Sequence, residues 1–139
     1  MSEVLPNVSC VALDGRAVLV TGAPGSGKSS LVLALIDRGG TLVGDDGVRL
    51  EARDGRAWAS PPPNIAGKLE IRNVGLADLP AVEAPLALAI RLDPAAPRHV
   101  EVASAAQYGG CAVPEIALYP DAPALPLRVE WALRLHGLP

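Results

Sequence analysis

Eight consecutive residues, Gly22-Ala23-Pro24-Gly25-Ser26-Gly27-Lys28-Ser29, concentrate more chemistry than any other stretch of the chain. Glycines at 22, 25 and 27 remove Cβ atoms, so successive backbone N–H groups can turn inward and close around an anion. Lys28 adds a positive charge beside them, and the Ser29 hydroxyl adds an oxygen ligand suited to a hard cation. The run meets the phosphate-binding P-loop pattern G-x-x-x-x-G-K-[ST] at every fixed position. It is read as a cage for a nucleoside triphosphate, with Lys28 on the β- and γ-phosphates and Ser29 in the Mg²⁺ shell. Nucleotide contact is assigned to Gly22, Ala23, Pro24, Gly25, Ser26, Gly27, Lys28, Ser29 and Ser30.

A second cluster follows sixteen residues after Lys28, at Gly44-Asp45-Asp46-Gly47. Adjacent carboxylates at a phosphate site can hold Mg²⁺ and supply a general base, since oxygen suits the cation and each carboxylate raises the proton affinity of its neighbour. A solvated Asp-Asp turn is the plain alternative. Further along, Lys68, Glu70 and Arg72 share one face of an alternating stretch, which is either solvated or lines the site. Arg98, in the Pro-rich loop 93–98, is either an ordinary surface residue or reaches towards phosphate.

These groups need elements to position them. Ala17–Thr21 is a short apolar run of buried-strand type, and Leu31–Ile36 reads as a helix whose N-terminus points at the same phosphates. Arg38 and Gly39-Gly40 end that helix. Thr41–Val43 is a further strand, parallel to the first, so Asp45 and Asp46 leave the sheet at the edge where the glycine loop lies. Val8–Leu13 precedes the loop strand as its antiparallel partner through the turn Asp14-Gly15, which puts Asn7 at the phosphate end.

Val48–Ala52 and Arg56–Ser60 form a hairpin across Asp54-Gly55, and Pro61-Pro62-Pro63 is a rigid connector. Lys68–Leu76 reads as one strand, Leu86–Leu92 as a buried core strand, Val100–Val102 and Ala112–Leu118 as shorter ones, with Pro114 marking an edge or strand start. Leu127, Trp131 and Leu135 recur every four residues and define the apolar stripe of a C-terminal helix ending at Gly137.

With 139 residues the chain suits a single domain, 1–139, of mixed α/β class. Phe is absent and only two Trp and two Tyr occur, so the core must be built from Ala, Val, Leu and Ile. A net charge of −3 argues against a nucleic-acid partner, and no apolar run is long enough to span a bilayer. Without a leader-like N-terminus a cytoplasmic protein is expected, with Cys10 and Cys111 as buried reduced thiols. His99 and His136 have no partner at metal or triad spacing and are expected to be exposed.

Four stretches together resemble the catalytic domain of bacterial HPr kinase/phosphorylase: Asn7-Val8-Ser9, Gly22–Ser29, Leu42–Asp46 and Leu69–Gly75. The resemblance covers roughly residues 4 to 120. It implies a mixed α/β fold similar around the P-loop to phosphoenolpyruvate carboxykinase, and a homo-oligomer, usually a hexamer. It also implies transfer of phosphate from ATP to a serine of the phosphocarrier HPr with Mg²⁺, the reverse phosphorolysis in many members, and a role in regulating carbohydrate metabolism.

By position Asp45 would be the base, Asp46 would support the metal and Glu70 would help hold Mg²⁺, while Arg98 would match a catalytic arginine. Three positions depart from the family: Asn7 stands where it has His, Ser30 where it has an acidic residue, and Asn73 where it has Gly. A nucleotide-binding regulatory protein that has lost transfer, and a kinase of a small metabolite, are the competing readings.

Overall fold

Strands built on nearly continuous apolar runs must be covered on both faces, and three segments of this chain carry such runs. The computed structural model, which describes residues 2–139, makes them β2 (Ser9–Leu13), β3 (Arg16–Gly22) and β9 (Ala84–Leu92), and sets them at the centre of one mixed sheet. The other elements are β1 (Ser2–Pro6), α1 (Lys28–Asp37), β4 (Thr41–Gly44), β5 (Gly47–Arg53), β6 (Arg56–Ser60), β7 (Lys68–Ile71), β8 (Gly75–Asp78), β10 (Ser104–Tyr108), β11 (Cys111–Leu118) and α2 (Leu125–His136).

The main sheet runs β1-β5-β6-β9-β3-β2-β4. Along one side β9 pairs parallel with β3. Along the other it pairs with β6 at Ala84 and Pro85, then with β11 from Ala89 to Leu92. One strand thus serves two arms, and the sheet curls where they part.

Each face of the curl has its own core. On one, Val11, Val18, Val20, Leu88 and Ile90 pack with Leu31, Val32 and Leu35 of α1 and with Val129 and Leu133 of α2. On the other, Cys10, Leu19, Leu86 and Ala89 pack against Val48, Leu50, Ala57 and Ala59 of the β5–β6 arm. The pairing register shifts between Ala17 and Val18, a bulge that puts Ala87 and Leu88 in the same core. Burial pushes the Cys10 thiol far above its usual range, while Cys111 is only half-buried.

The expected hairpins β2–β3 and β5–β6 form, turning at Asp14-Gly15 and Asp54-Gly55 with positive φ at all four residues. The crossover β3–α1–β4 also returns parallel, with β2 lying between β3 and β4 as the antiparallel neighbour of both.

Elsewhere the structure departs from expectation. Residues 68–76 are not one strand: the chain reverses at Arg72-Asn73-Val74, with Asn73 at φ 69°, and β7 and β8 form a separate two-stranded sheet. Its Leu69 is fully buried against α1 and anchors it to the body. Val100–Val102 is no strand, and β10 begins at Ser104 instead, turning at Gly109-Gly110. Pro114 lies inside β11, beside β10 and just before the segment Glu115–Leu118 that pairs with β9, so its missing N–H interrupts neither ladder. β1 was not anticipated and lines the outer edge of β5.

The helix α2 is turned away from its predicted face. Leu127, Trp131 and Leu135 are exposed, and the buried set is Leu125, Val129, Ala132 and Leu133. A second apolar stripe at helical spacing competes for the core, and the smaller Val129 and Ala132 allow closer approach to the sheet. The Arg134 guanidinium lies 4.5 Å over the outward Trp131 ring. Arg38, at the end of α1, ties the two helices by a two-pronged pair to Glu130 (2.7 and 2.9 Å), which holds the Glu130 carboxyl below its usual range. His99 is exposed, whereas His136 is partly covered.

Candidate functional site

The C-terminal ends of β3 and β4 open on the same side because the two strands run parallel, and a cavity of about 500 Å³ lies between the loops that follow them. The glycine loop after β3 supplies Pro24, Gly25, Gly27, Lys28, Ser29 and Ser30 to its wall. Asn7, Asp45, Asp46 and Glu70 line it as well. Gly22, Ala23 and Ser26 belong to the loop without facing the cavity.

Arg98 is exposed and does not line the cavity. It lies six residues beyond Leu92, which pairs with Gly22, so its loop leaves the sheet near the glycine loop. Ser9 lines the cavity although nothing in the sequence marked it, and Arg72, on the face expected either to be solvated or to line the site, lines it together with Glu70. Arg72 is presented by the β7–β8 turn, which a single long strand would not have made.

The loop geometry follows from its glycines. A Cβ on Gly22, at φ 150°, would lie 2.7 Å from Ser26 Oγ and 3.2 Å from the Leu92 carbonyl. Lys28 Nζ donates to the carbonyls of Gly22 (2.9 Å) and Ala23 (3.1 Å), bending across the loop. The helix α1 begins at Lys28 with no side-chain cap and no acidic residue in its first turn, so its leading N–H groups keep their positive end for an anion. Ser26 Oγ is buried with no hydrogen-bond partner. Uncapped helix amides and an ammonium in one loop fit a phosphate group.

The acid pair is held by the turn between β4 and β5. A Cβ on Gly44 would meet the Gly47 carbonyl at 2.2 Å, so only glycine closes this turn. Asp46 takes the left-handed conformation (φ 60°), is exposed, and accepts the Asn7 N–H on its backbone carbonyl at 3.1 Å. Asp45 also lines the cavity but is only 8% exposed. Its Oδ1 accepts from Ser29 Oγ at 2.6 Å and Ser9 Oγ at 2.9 Å, and its Oδ2 accepts from the Glu70 N–H at 3.3 Å.

Three carboxylates, on Asp45, Asp46 and Glu70, therefore face two cationic side chains, Lys28 and Arg72. Among the described residues no three His, Cys, Asp or Glu side chains converge as a complete metal cage. Mg²⁺ does not need one, since it keeps waters and takes substrate phosphate oxygens beside one or two protein ligands. The Ser29 hydroxyl against the Asp45 carboxylate fits that demand.

The curled mixed sheet with two helices on one face, and a glycine loop facing an acid pair, define an α/β domain of a recognisable kind. The chain belongs to the HPr kinase family: the family model described as the HPr Serine kinase C-terminal domain matches residues 3–83. The HPr kinase/phosphorylase of Clostridium tetani is 41% identical over 72 residues, which are 52% of this chain and 24% of that protein. That of Streptococcus thermophilus is 43% identical over 70 residues, 50% of this chain and 23% of that protein. The matched stretch is thus about a quarter of the length of these relatives.

The solved structure of the Hpr(Ser) kinase/phosphatase from Coxiella burnetii superimposes with a TM-score of 0.81 at 30% identity, covering 95% of this chain and 88% of that one. No described helix is long and apolar enough to cross a membrane.

Proposed function

We propose that residues 1–139 form a single P-loop kinase domain that transfers the γ-phosphate of ATP to a serine hydroxyl of HPr or an HPr-like phosphocarrier. The observation that carries this reading is the 2.6 Å hydrogen bond from Ser29 Oγ to Asp45 Oδ1. It joins the last residue of the glycine loop to the first acid of the pair, as a loop serine and a partner aspartate are joined where both serve one Mg²⁺.

The loop amides and Lys28 bind the phosphates of ATP. Ser29 and Asp45, with Glu70 beside them, would hold Mg²⁺, which when bound would supply charge neutralisation on the transferring group. The hydrogen bonds at Asp45 favour a division of labour opposite to that expected from position. Asp45 already accepts from three donors, whereas Asp46 is exposed to the cavity and free to take a proton. Asp46 accordingly accepts the proton of the serine hydroxyl as that oxygen attacks the γ-phosphorus, and ADP departs on its β-phosphate oxygen. In-line placement and charge stabilisation supply most of the acceleration in such a transfer.

Asn7 favours a second reading. It stands beside Asp46 through a backbone hydrogen bond, and an amide cannot exchange a proton with a neighbouring acid. A chain so equipped could bind ATP and regulate without transfer. Incubation with γ-labelled ATP, Mg²⁺ and HPr decides: label on an HPr serine is the expected result. ATP binding with no label on HPr selects the regulatory reading, and label on a metabolite instead of HPr selects a small-molecule kinase.

A further inference from the structure

The Asp45 carboxylate has two hydroxyl partners from different parts of the fold. Ser29 stands at the join of the glycine loop and α1. Ser9 belongs to β2, which is paired on both sides, with β3 and β4, and is 1% exposed. The pairing of Cys10 with Gly44 sets Ser9 beside Asp45 across the β2–β4 ladder. Every other residue of β2 is apolar, so a hydroxyl here is costly unless bonded, and its hydrogen bond goes to Asp45 Oδ1 at 2.9 Å.

We propose that Ser9 is a positioning residue whose hydroxyl, anchored in the sheet, fixes the plane of the Asp45 carboxylate and so sets the divalent-cation affinity of the site. This rests on the nucleotide-and-cation reading above. Two hydroxyls on Oδ1 and the Glu70 N–H on Oδ2 leave the carboxylate little freedom to rotate. Of the two hydroxyls, only that of Ser9 is independent of the loop that must adjust around phosphate. The Asp45 orientation is therefore kept while Ser29 turns a lone pair to the cation, which lowers the reorganisation that binding requires.

The test is calorimetric titration of Mn²⁺ into the chain saturated with the non-hydrolysable β,γ-imido analogue of ATP, corrected for Mn²⁺ binding to free analogue. A parallel titration of the analogue in EDTA reads the phosphate cage alone. Ser9→Ala is expected to bind Mn²⁺ about tenfold more weakly while keeping its metal-free analogue affinity within about twofold, as loss of one hydrogen bond to a charged group implies. Ser9→Thr, which restores the hydroxyl, is expected to recover wild-type Mn²⁺ affinity.

Equal Mn²⁺ affinity in Ser9→Ala and wild type overturns the proposal. So does an equal loss in Ser9→Ala and Ser9→Thr, or a matching loss of analogue affinity in EDTA, because either outcome marks a packing role. Failure of the wild-type chain to bind the analogue at all would overturn the nucleotide reading first and this inference with it.

Discussion

Asp45 and Asp46 are adjacent in sequence and occupy opposite surroundings, one buried under three donors and the other open to the cavity. Their amide variants should therefore fail differently. Asp46→Asn is expected to lower kcat by about 10²- to 10⁴-fold, the usual weight of a general base, with little change in ATP affinity. Asp45→Asn is expected to raise the Mg²⁺ concentration required for half-maximal rate by about tenfold or more, the scale of a lost charged hydrogen bond. Rate measurements across a Mg²⁺ series separate the two, and identical profiles would refute the division. The glycine loop and the acid pair were legible in the sequence, because each is a contiguous run whose residue types have few other uses. Ser9 was not. Ser9 becomes visible only once β2 is known to lie beside β4, whereas alternation alone had already offered Arg72 with Glu70 as a possible wall of the site.

The helix α2 shows at the next scale how a correct element can be given the wrong face. Its sequence carries two apolar stripes, and aromatic size makes Leu127, Trp131 and Leu135 the more conspicuous. Periodicity reports that a stripe exists, but the space beneath the helix selects which one is buried. Leu133 is 3% exposed and Leu135 is 69% exposed, two positions apart on the same helix. Leu133→Ala should cost about 2–5 kcal/mol of stability through lost contacts and the cavity left behind. Leu135→Ala should change it by about 0.5 kcal/mol or less, as surface substitutions do. Urea unfolding of both variants measures the contrast, and its inversion would restore the expected orientation. The same limit applies to β7–β8: alternation in Lys68–Ile71 was correct for that strand, but no hydrophobic signal marks the reversal after it.

At the scale of the whole molecule, sequence similarity and structural unity end in different places. The family match stops at residue 83, and the stretches shared with the curated relatives span about half the chain. The strand β9 begins one residue later, at Ala84, and is the only described strand that joins both arms of the sheet. Its Leu86, Leu88 and Ile90 are fully buried, shared between the two cores. Without it β3 loses its parallel neighbour, the β5–β6 arm loses its attachment beyond β6, and the face that orients the glycine loop is opened to water. Burial of that order is a large share of a small domain's marginal stability. A fragment ending at residue 83 should therefore contain every residue assigned here to the cavity and still fail to fold. It is expected to show no cooperative thermal transition by circular dichroism and no saturable binding of the ATP analogue, whereas residues 1–139 show both. A cooperative transition in the fragment would mean that the site-bearing half is an autonomous unit and that β9 completes it without being required for it.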